Sequence, residues 1–193
     1  MRYLYPMLLL LCASCIQLGG EPQPTTYYLL YGTPDTAEVY SNNPLNIDLE
    51  LTKFPGHLDR PQIVTQKQQN KIEFDTFIRW GEPLKENLIQ SIRKNLLIFF
   101  PNGAISVSPW ENPEDNAIKI DLAVNSFSGE LGGNTDIDIR WSIRAGDNTT
   151  KRGYFSEHHP LGETHHDLVT ELSDSLNRLS KDLANELRSI QGE

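Results

Sequence analysis

Two adjacent segments of the chain, residues 118–124 and 137–143, alternate between apolar and polar side chains, with a Gly-rich turn between them. Side chains on a strand point alternately to opposite faces, so each segment is predicted as a strand with one buried and one wet face. A third strand, 151–157, follows another turn, and the three together indicate an antiparallel meander. The apolar positions, which need cover from a second layer, are Ile118, Ile120, Leu122, Val124, Ile137, Ile139, Trp141 and Ile143.

The last segment, 164–190, supplies such a cover. Thr164 and Asp167 are spaced as a capping box at its start. Its apolar side chains recur with steps of four, four and three, about 3.67 residues per turn, which fits a straight helix packed along a sheet better than a left-handed coiled coil. At about 27 residues the helix is about 40 Å long. The apolar stripe that we expect to face the sheet consists of Leu168, Leu172, Leu176, Leu179, Leu183, Leu187 and Ile190.

A second helix is predicted to begin at Pro83, a favoured first helical residue, and to end before Pro101. Period-two or aromatic-rich segments predict further strands at 27–31, 45–51, 61–66, 71–77 and 105–107. We therefore predict an α+β, two-layer domain. Its sheet is mainly antiparallel, with mixed pairing left open, and two long helices pack on one face.

Residues 1–15 have the pattern of a targeting segment. Arg2 is followed by an apolar run from Leu4 to Ala13, too short for a membrane span of about 20 residues, and then by small residues before Cys15. The arrangement resembles the bacterial lipobox, in which Cys15 becomes the lipidated first residue of the mature chain. Ile16 rather than Asp follows Cys15, which by the same resemblance favours the outer membrane.

Three other interpretations of this segment remain open. Cys12 could be the lipidated residue, although Leu11 is bulky for the cleavage position before it. Cys12 and Cys15 also form a C-x-x-C pattern, but at the end of a leader a redox role is disfavoured. Secretion without a lipid is the stronger rival. We divide the chain into a signal peptide, 1–14, a lipidated Cys and tether, 15–26, and one periplasmic domain, 27–193.

The net charge of the chain disfavours one class of partner, nucleic acids. Removing a leader that contains Arg2 takes the formal charge from −9 to −10. Such an acidic domain is a poor nucleic-acid binder, since phosphates are bound by Lys and Arg. The eleven residues 16–26 span at most roughly 36–40 Å when extended, so the tether keeps the domain close to its membrane.

No common catalytic motif is found in the sequence: it lacks G-x-S-x-G, a P-loop, a dinucleotide-binding glycine pattern and H-E-x-x-H. Four histidines, His158, His159, His165 and His166, lie within nine residues. Neighbouring side chains at a strand end point to opposite faces, so we interpret this segment as a solvated turn rather than a zinc or copper site. We expect no enzyme activity, no cofactor and no metal.

The middle of the chain resembles the paraquat-inducible protein C family, also called ABC-type transport auxiliary lipoproteins. The resemblance is carried by Leu58-Asp59-Arg60-Pro61-Gln62-Ile63-Val64, by Trp80 with Glu82-Pro83-Leu84, and by Asn95-Leu96. Tyr27-Tyr28-Leu29-Leu30 after a short tether fits the start of the family. The resemblance covers most of the mature chain and is loose after Pro101.

The resemblance implies a lipid-anchored protein on the periplasmic face of the outer membrane of a Gram-negative bacterium. Its partner would be a periplasm-spanning MCE-domain protein, and together they would move lipids between the membranes and protect envelope integrity. Whether several copies of the chain form a homo-oligomeric ring is left open. The residues assigned to partner contact are Leu58, Asp59, Arg60, Pro61 and Trp80, although for Trp80 a packing role is favoured.

Two alternatives belong to other functional classes. The protein could itself carry an acyl chain between its sheet and helices, lined by Phe74, Phe77, Trp80, Phe99 and Phe100. An apolar pocket of about 300–1,000 Å³ favours carriage, and a filled core favours an adaptor. The second alternative is a structural lipoprotein of the envelope.

Overall fold

The computed structural model describes residues 23–32, 39–41, 43–68, 70–146 and 149–191. The predicted signal peptide, Cys15 and most of the tether lie outside these residues. The described elements are, in chain order, β1 (Thr26–Tyr28), β2 (Asn46–Lys53), β3 (Gln62–Gln66), β4 (Ile72–Trp80), α1 (Leu84–Phe99), β5 (Ala104–Ser108), β6 (Ile118–Gly129), β7 (Thr135–Ala145), β8 (Thr149–Glu157) and α2 (His165–Gln191).

The strands form two sheets, both of mixed pairing. The larger sheet has the order β5-β2-β6-β7-β8, and the smaller one the order β1-β4-β3. β6, β7 and β8 form the predicted antiparallel meander. β2 lies parallel to both β5 and β6, and β1 lies parallel to β4. The α+β class is confirmed. The pairing is the mixed one that the sequence left open, since the described strands form three parallel and three antiparallel pairs in two sheets.

The predicted packing of the last helix on the meander is also confirmed. Ile120, Leu122 and Val124 of β6 are fully buried, as are Leu176 and Leu183 of α2. Trp141 and Ile118 are only partly buried at the border of this core. Both helices cover one face of the larger sheet, and α1 also packs along α2. The interior is therefore filled by the stripe and the strand faces that the alternation indicated.

The ends of the helices follow their local sequence. In the capping box of α2, the N–H of Asp167 donates to Oγ1 of Thr164 at 3.1 Å, and the N–H of Thr164 donates to Oδ2 of Asp167 at 3.0 Å. In α1, Pro83 is the capping residue rather than the first helical one, and its carbonyl accepts from the N–H of Asn87 at 3.0 Å. Both predicted helices are thus present, with each bound shifted by one residue.

The first strand is shorter than predicted because the residues after it bond to helices instead of a strand. The N–H of Leu30 donates to Oδ1 of Asn87 on α1 at 2.7 Å, and the N–H of Tyr31 donates to Oγ of Ser173 on α2 at 3.3 Å. The start of the domain is thereby attached to both helices and to the smaller sheet.

Candidate functional site

The two segments that carry most of the family resemblance meet in space. Residues 59–61 precede β3, and residues 80–83 run from the last residue of β4 to the start of α1. Together they line an open cleft of about 380 Å³. The N–H of Trp80 donates to the carbonyl of Pro61 at 2.8 Å and joins the two sides. We call this feature the signature cleft. Its lining consists of Asp59, Arg60, Pro61, Trp80, Gly81, Glu82 and Pro83.

A tight turn presents the first side of the signature cleft. The N–H of Leu58 donates to the carbonyl of Pro55 at 3.0 Å, and the N–H of Arg60 donates to the carbonyl of Leu58 at 2.9 Å. Leu58 is buried, whereas Asp59 beside it is exposed. Burial of Leu58 thus fixes the turn on the core and leaves Asp59 directed to solvent.

The second side is built from the end of β4 and the start of α1. Trp80 is only 5% exposed, so most of its ring belongs to the core and the remainder forms the base of the cleft. Pro83 caps the start of α1, while Gly81 and Glu82, between Trp80 and Pro83, are exposed. The favoured packing role of Trp80 agrees with this burial. The side chains that a partner can reach here are Asp59, Arg60, Pro61, Glu82 and Pro83.

Arg60 is held in a defined position at the rim. Its guanidinium carbon lies 3.7 Å from the centre of the Phe74 ring, a cation–π distance, and its Nε donates to Oε1 of Gln62 at 3.3 Å. The lining of the cleft thus combines one oriented guanidinium with the carboxylates of Asp59 and Glu82. Such a set recognises polar and charged side chains of a protein partner through hydrogen bonds and ion pairs.

The beginning of the domain also reaches this site, which sequence reasoning missed. Tyr28 of β1 pairs with Trp80, and its carbonyl accepts from the N–H of Gly81 at 2.8 Å. A Cβ at Gly81 would lie 3.2 Å from Cδ2 of Leu29, the residue that follows β1. Only the parallel pairing of β1 with β4 brings these residues together, and no local pattern marks such a pairing.

The histidines lie at the junction of β8 and α2. Nδ1 of His158 is 3.1 Å from the carbonyl oxygen of Thr135, and the N–H of His159 donates to Oγ1 of the same residue at 2.9 Å. Burial lowers the pKa of His165 despite the opposing effect of Asp75. In the part of the chain that the structure describes, no three His, Cys, Asp or Glu side chains are grouped to hold a metal ion.

Solved structures share this fold at low sequence identity. An uncharacterised protein superposes with a TM-score of 0.69 at 16% identity, covering 86% of this chain and 99% of its own. A protein from Xanthomonas campestris of the DUF330 family superposes with a TM-score of 0.67 at 13% identity, covering 87% and 98%. The fold is thus that of DUF330 proteins.

A family model described as ABC-type transport auxiliary lipoprotein component matches residues 27–184, and the chain belongs to this family. The resemblance to the paraquat-inducible protein C family is thereby confirmed. No protein of curated function matches the sequence. Within residues 23–191 as described, neither helix is long and apolar enough to cross a membrane.

Proposed function

We propose that this protein is an outer-membrane lipoprotein that acts as a non-catalytic adaptor of an MCE-containing, ABC-type lipid-transport system and so supports envelope integrity. The observation that carries the proposal is the family match over residues 27–184, whose description names an auxiliary lipoprotein of ABC-type transport. The lipid on Cys15 holds the domain at the periplasmic face of the outer membrane. A periplasm-spanning MCE-domain protein is the partner.

The signature cleft is the proposed docking site. It is exposed, it combines one guanidinium with two carboxylates, and its position is fixed by the core through Leu58 and Trp80. A rigid site loses little conformational entropy when a partner binds. Leu58 and Trp80 therefore act from beneath the cleft, while Asp59, Arg60 and Pro61 make the contact.

The short tether supports an adaptor role. Eleven residues extend at most roughly 40 Å, so the partner supplies the reach across the periplasm. Copies held at one membrane meet the tip of such a partner at high effective concentration, and several copies add avidity. A ring of copies around the tip follows naturally from this arrangement.

The positions of the aromatic side chains favour the adaptor over a lipid carrier. Phe99 and Phe100 are buried in the core, whereas Phe74 is 45% exposed on the smaller sheet. These residues do not converge on one cavity. The signature cleft has a volume in the range of ligand pockets, but it is a surface feature whose rim carries three charged side chains.

Co-purification from solubilised envelopes tests the docking site. We expect Asp59→Ala and Arg60→Ala each to weaken capture of the MCE partner by about tenfold or more, since about 1.4 kcal/mol corresponds to a tenfold change in affinity. Asp115→Ala and Arg152→Ala, which change the same charges at exposed positions, are the matched controls.

The outcomes separate the parts of the proposal. If no MCE protein is recovered with the wild type, the adaptor function is wrong. Equal recovery with wild type and both cleft variants leaves the adaptor in place and moves its contact away from the signature cleft.

A further inference from the structure

One face of the smaller sheet carries exposed apolar side chains next to Val64, which is buried in the core. Tyr27 pairs with Arg79, and Arg79 pairs with Gln62, so these side chains share a face. Two residues further along β3, Val64 pairs with Phe74, and two residues further again, Gln66 pairs with Ile72. Because side chains alternate along a strand, Phe74 and Ile72 lie on that same face. We call it the outer face.

The outer face is aromatic and exposed. Tyr27 is 62% exposed, Phe74 45% and Ile72 42%. Its opposite side carries Tyr28 and Trp80, which pack into the core. On the same face they lie beside Val64, which is only 4% exposed and belongs to the core, and Arg60 lies directly over the Phe74 ring.

The charge of this region differs from that of the rest of the chain. Residues 57–80 contain four cationic side chains and three carboxylates, one net positive charge, in a chain of formal charge −9. Two of the cations, Lys67 and Lys71, lie at the hairpin between β3 and β4, where both pair with Glu73. The other two are Arg60 and Arg79. This segment therefore carries a small net positive charge within an acidic chain.

The outer face is also the part of the domain nearest to the proposed anchor. β1 is the first described element, it forms the edge of the smaller sheet, and Tyr27 on it belongs to the outer face. Only eleven residues separate Cys15 from the end of the tether at Thr26. The anchored membrane is consequently always within roughly 40 Å of this face.

We propose that the outer face of the smaller sheet rests on the membrane leaflet that holds the lipid anchor. Tyr27, Phe74 and Ile72 enter the interfacial region, where aromatic side chains are favoured, and Arg79, Lys67 and Lys71 meet the phosphate groups of the lipids. This inference rests on the lipid anchor of the proposed function. It orients the domain and places the signature cleft, which shares Arg60 with the outer face, at the border of the membrane contact.

The cysteine content of the chain provides a clean test. The chain has two Cys, Cys12 and Cys15, so after cleavage and lipidation at Cys15 no free thiol remains. Ile72→Cys then gives one labelling site on the outer face for an environment-sensitive fluorophore. Tyr154→Cys, at a 77% exposed position on β8 of the other sheet, is the matched control. The mature proteins are extracted from membranes and reconstituted into vesicles of phosphatidylethanolamine with a minority of phosphatidylglycerol.

The expected result is a blue-shifted emission at position 72 that is quenched by lipids with a spin label near the headgroup, with neither effect at position 154. The Tyr154→Cys variant, reconstituted in vesicles of the same composition, gives the aqueous reference. Tyr27→Cys is expected to behave like Ile72→Cys.

Each other outcome overturns the inference in a recognisable way. If the protein floats with the vesicles and position 72 is not quenched, the anchor stands and the outer face does not touch lipid. A blue shift at position 72 that requires an added protein partner and shows no lipid quenching assigns the face to that partner. If the wild type accepts the fluorophore and does not float, the lipid anchor itself is wrong, and the inference fails with it.

Discussion

Trp141 and Gly153 show how single residues set the border of the core. They are cross-strand partners on β7 and β8, and a Cβ on Gly153 would lie 2.6 Å from Cε2 of the Trp141 ring. The ring therefore covers the glycine, which explains why Trp141 is only partly buried although the alternation predicted it inside. The alternation thus placed Trp141 on the correct face of β7, and the absence of a side chain at Gly153 determines where its ring lies.

Gly153→Ala is expected to destabilise the protein, because the new methyl group overlaps the indole and must displace it. Overpacking of this kind costs about 1–3 kcal/mol. Urea unfolding followed by circular dichroism measures the change. Gly56→Ala is the control, since a Cβ there meets nothing within 4 Å. Equal stability of the two variants would contradict the packing described for Trp141.

At the scale of secondary-structure elements, sequence reasoning succeeded where a pattern is local. The capping box, the leucine stripe and the three-strand meander all depend on residues a few positions apart. The parallel neighbours of β2 and β1 could not be predicted, because the same alternation fits either strand direction. A bulge in β4 was likewise not predicted. It lies between the residues of β4 that pair at Phe74 and at Arg79, and within it the N–H of Phe77 donates to Oδ1 of Asp75 at 2.7 Å.

The junction of β8 with α2 depends on one ion-pair network. Nε and Nη2 of Arg178 on α2 each donate to an oxygen of Glu157 on β8 at 2.8 Å, and Nη2 also donates to Glu171 at 2.7 Å. Burial alone would raise the pKa of Glu157, but hydrogen bonds from Arg178 and Ser175 outweigh it and hold the pKa below its ordinary value. The Glu157 carboxylate therefore stabilises the folded state only while it is ionised.

Arg178→Met removes these donors while keeping a long apolar side chain. The variant is expected to lose about 1–3 kcal/mol near neutral pH, at the lower end because the Arg178 side chain is 40% exposed. Because the pKa of Glu157 is lowered on folding, its contribution is present above the unfolded value of 4.5 and is lost as the pH falls.

Urea unfolding at about pH 7 and about pH 4 checks this dependence. The difference in the free energy of unfolding between wild type and Arg178→Met should shrink at the acidic pH. The control Arg152→Met changes an exposed residue of β8, the strand that carries Glu157, and should differ little from wild type at either pH. A difference that is the same at both pH values would contradict an ionised Glu157 as the source of the stability.

At the scale of the whole molecule, the fold assembles a site from segments that sequence order separates. The two halves of the signature cleft were identified from residues 58–64 and 80–84, but their meeting depends on the β3–β4 hairpin and on the bond from Trp80 to Pro61. The outer face was missed because Tyr27, Phe74 and Arg60 belong to three different segments. Apolar residues in a strand predict burial, and only the assembled sheet distinguishes the side that has no cover.

The orientation of the whole domain depends on where its chain is anchored. If Cys15 carries the lipid, Cys15→Ser should abolish metabolic palmitate labelling, whereas Cys12→Ser should retain it. Labelling that survives Cys15→Ser, or that is lost only in Cys12→Ser, would place the lipid elsewhere.

Ile16→Asp separates lipidation from sorting, because it leaves Cys15 and the small residues before it unchanged. We expect the labelled protein to shift from the outer to the inner membrane, as measured by sucrose-gradient fractionation of the envelope. Ile16→Asn, similar in size and uncharged, is the control and should stay at the outer membrane. The folded domain and its signature cleft are unaltered in both variants, so recovery of the MCE partner from each fraction also reports whether docking requires the outer membrane. An unchanged distribution of Ile16→Asp would contradict outer-membrane sorting by position 16 and would leave the lipidation of Cys15 to be judged by its own labelling result.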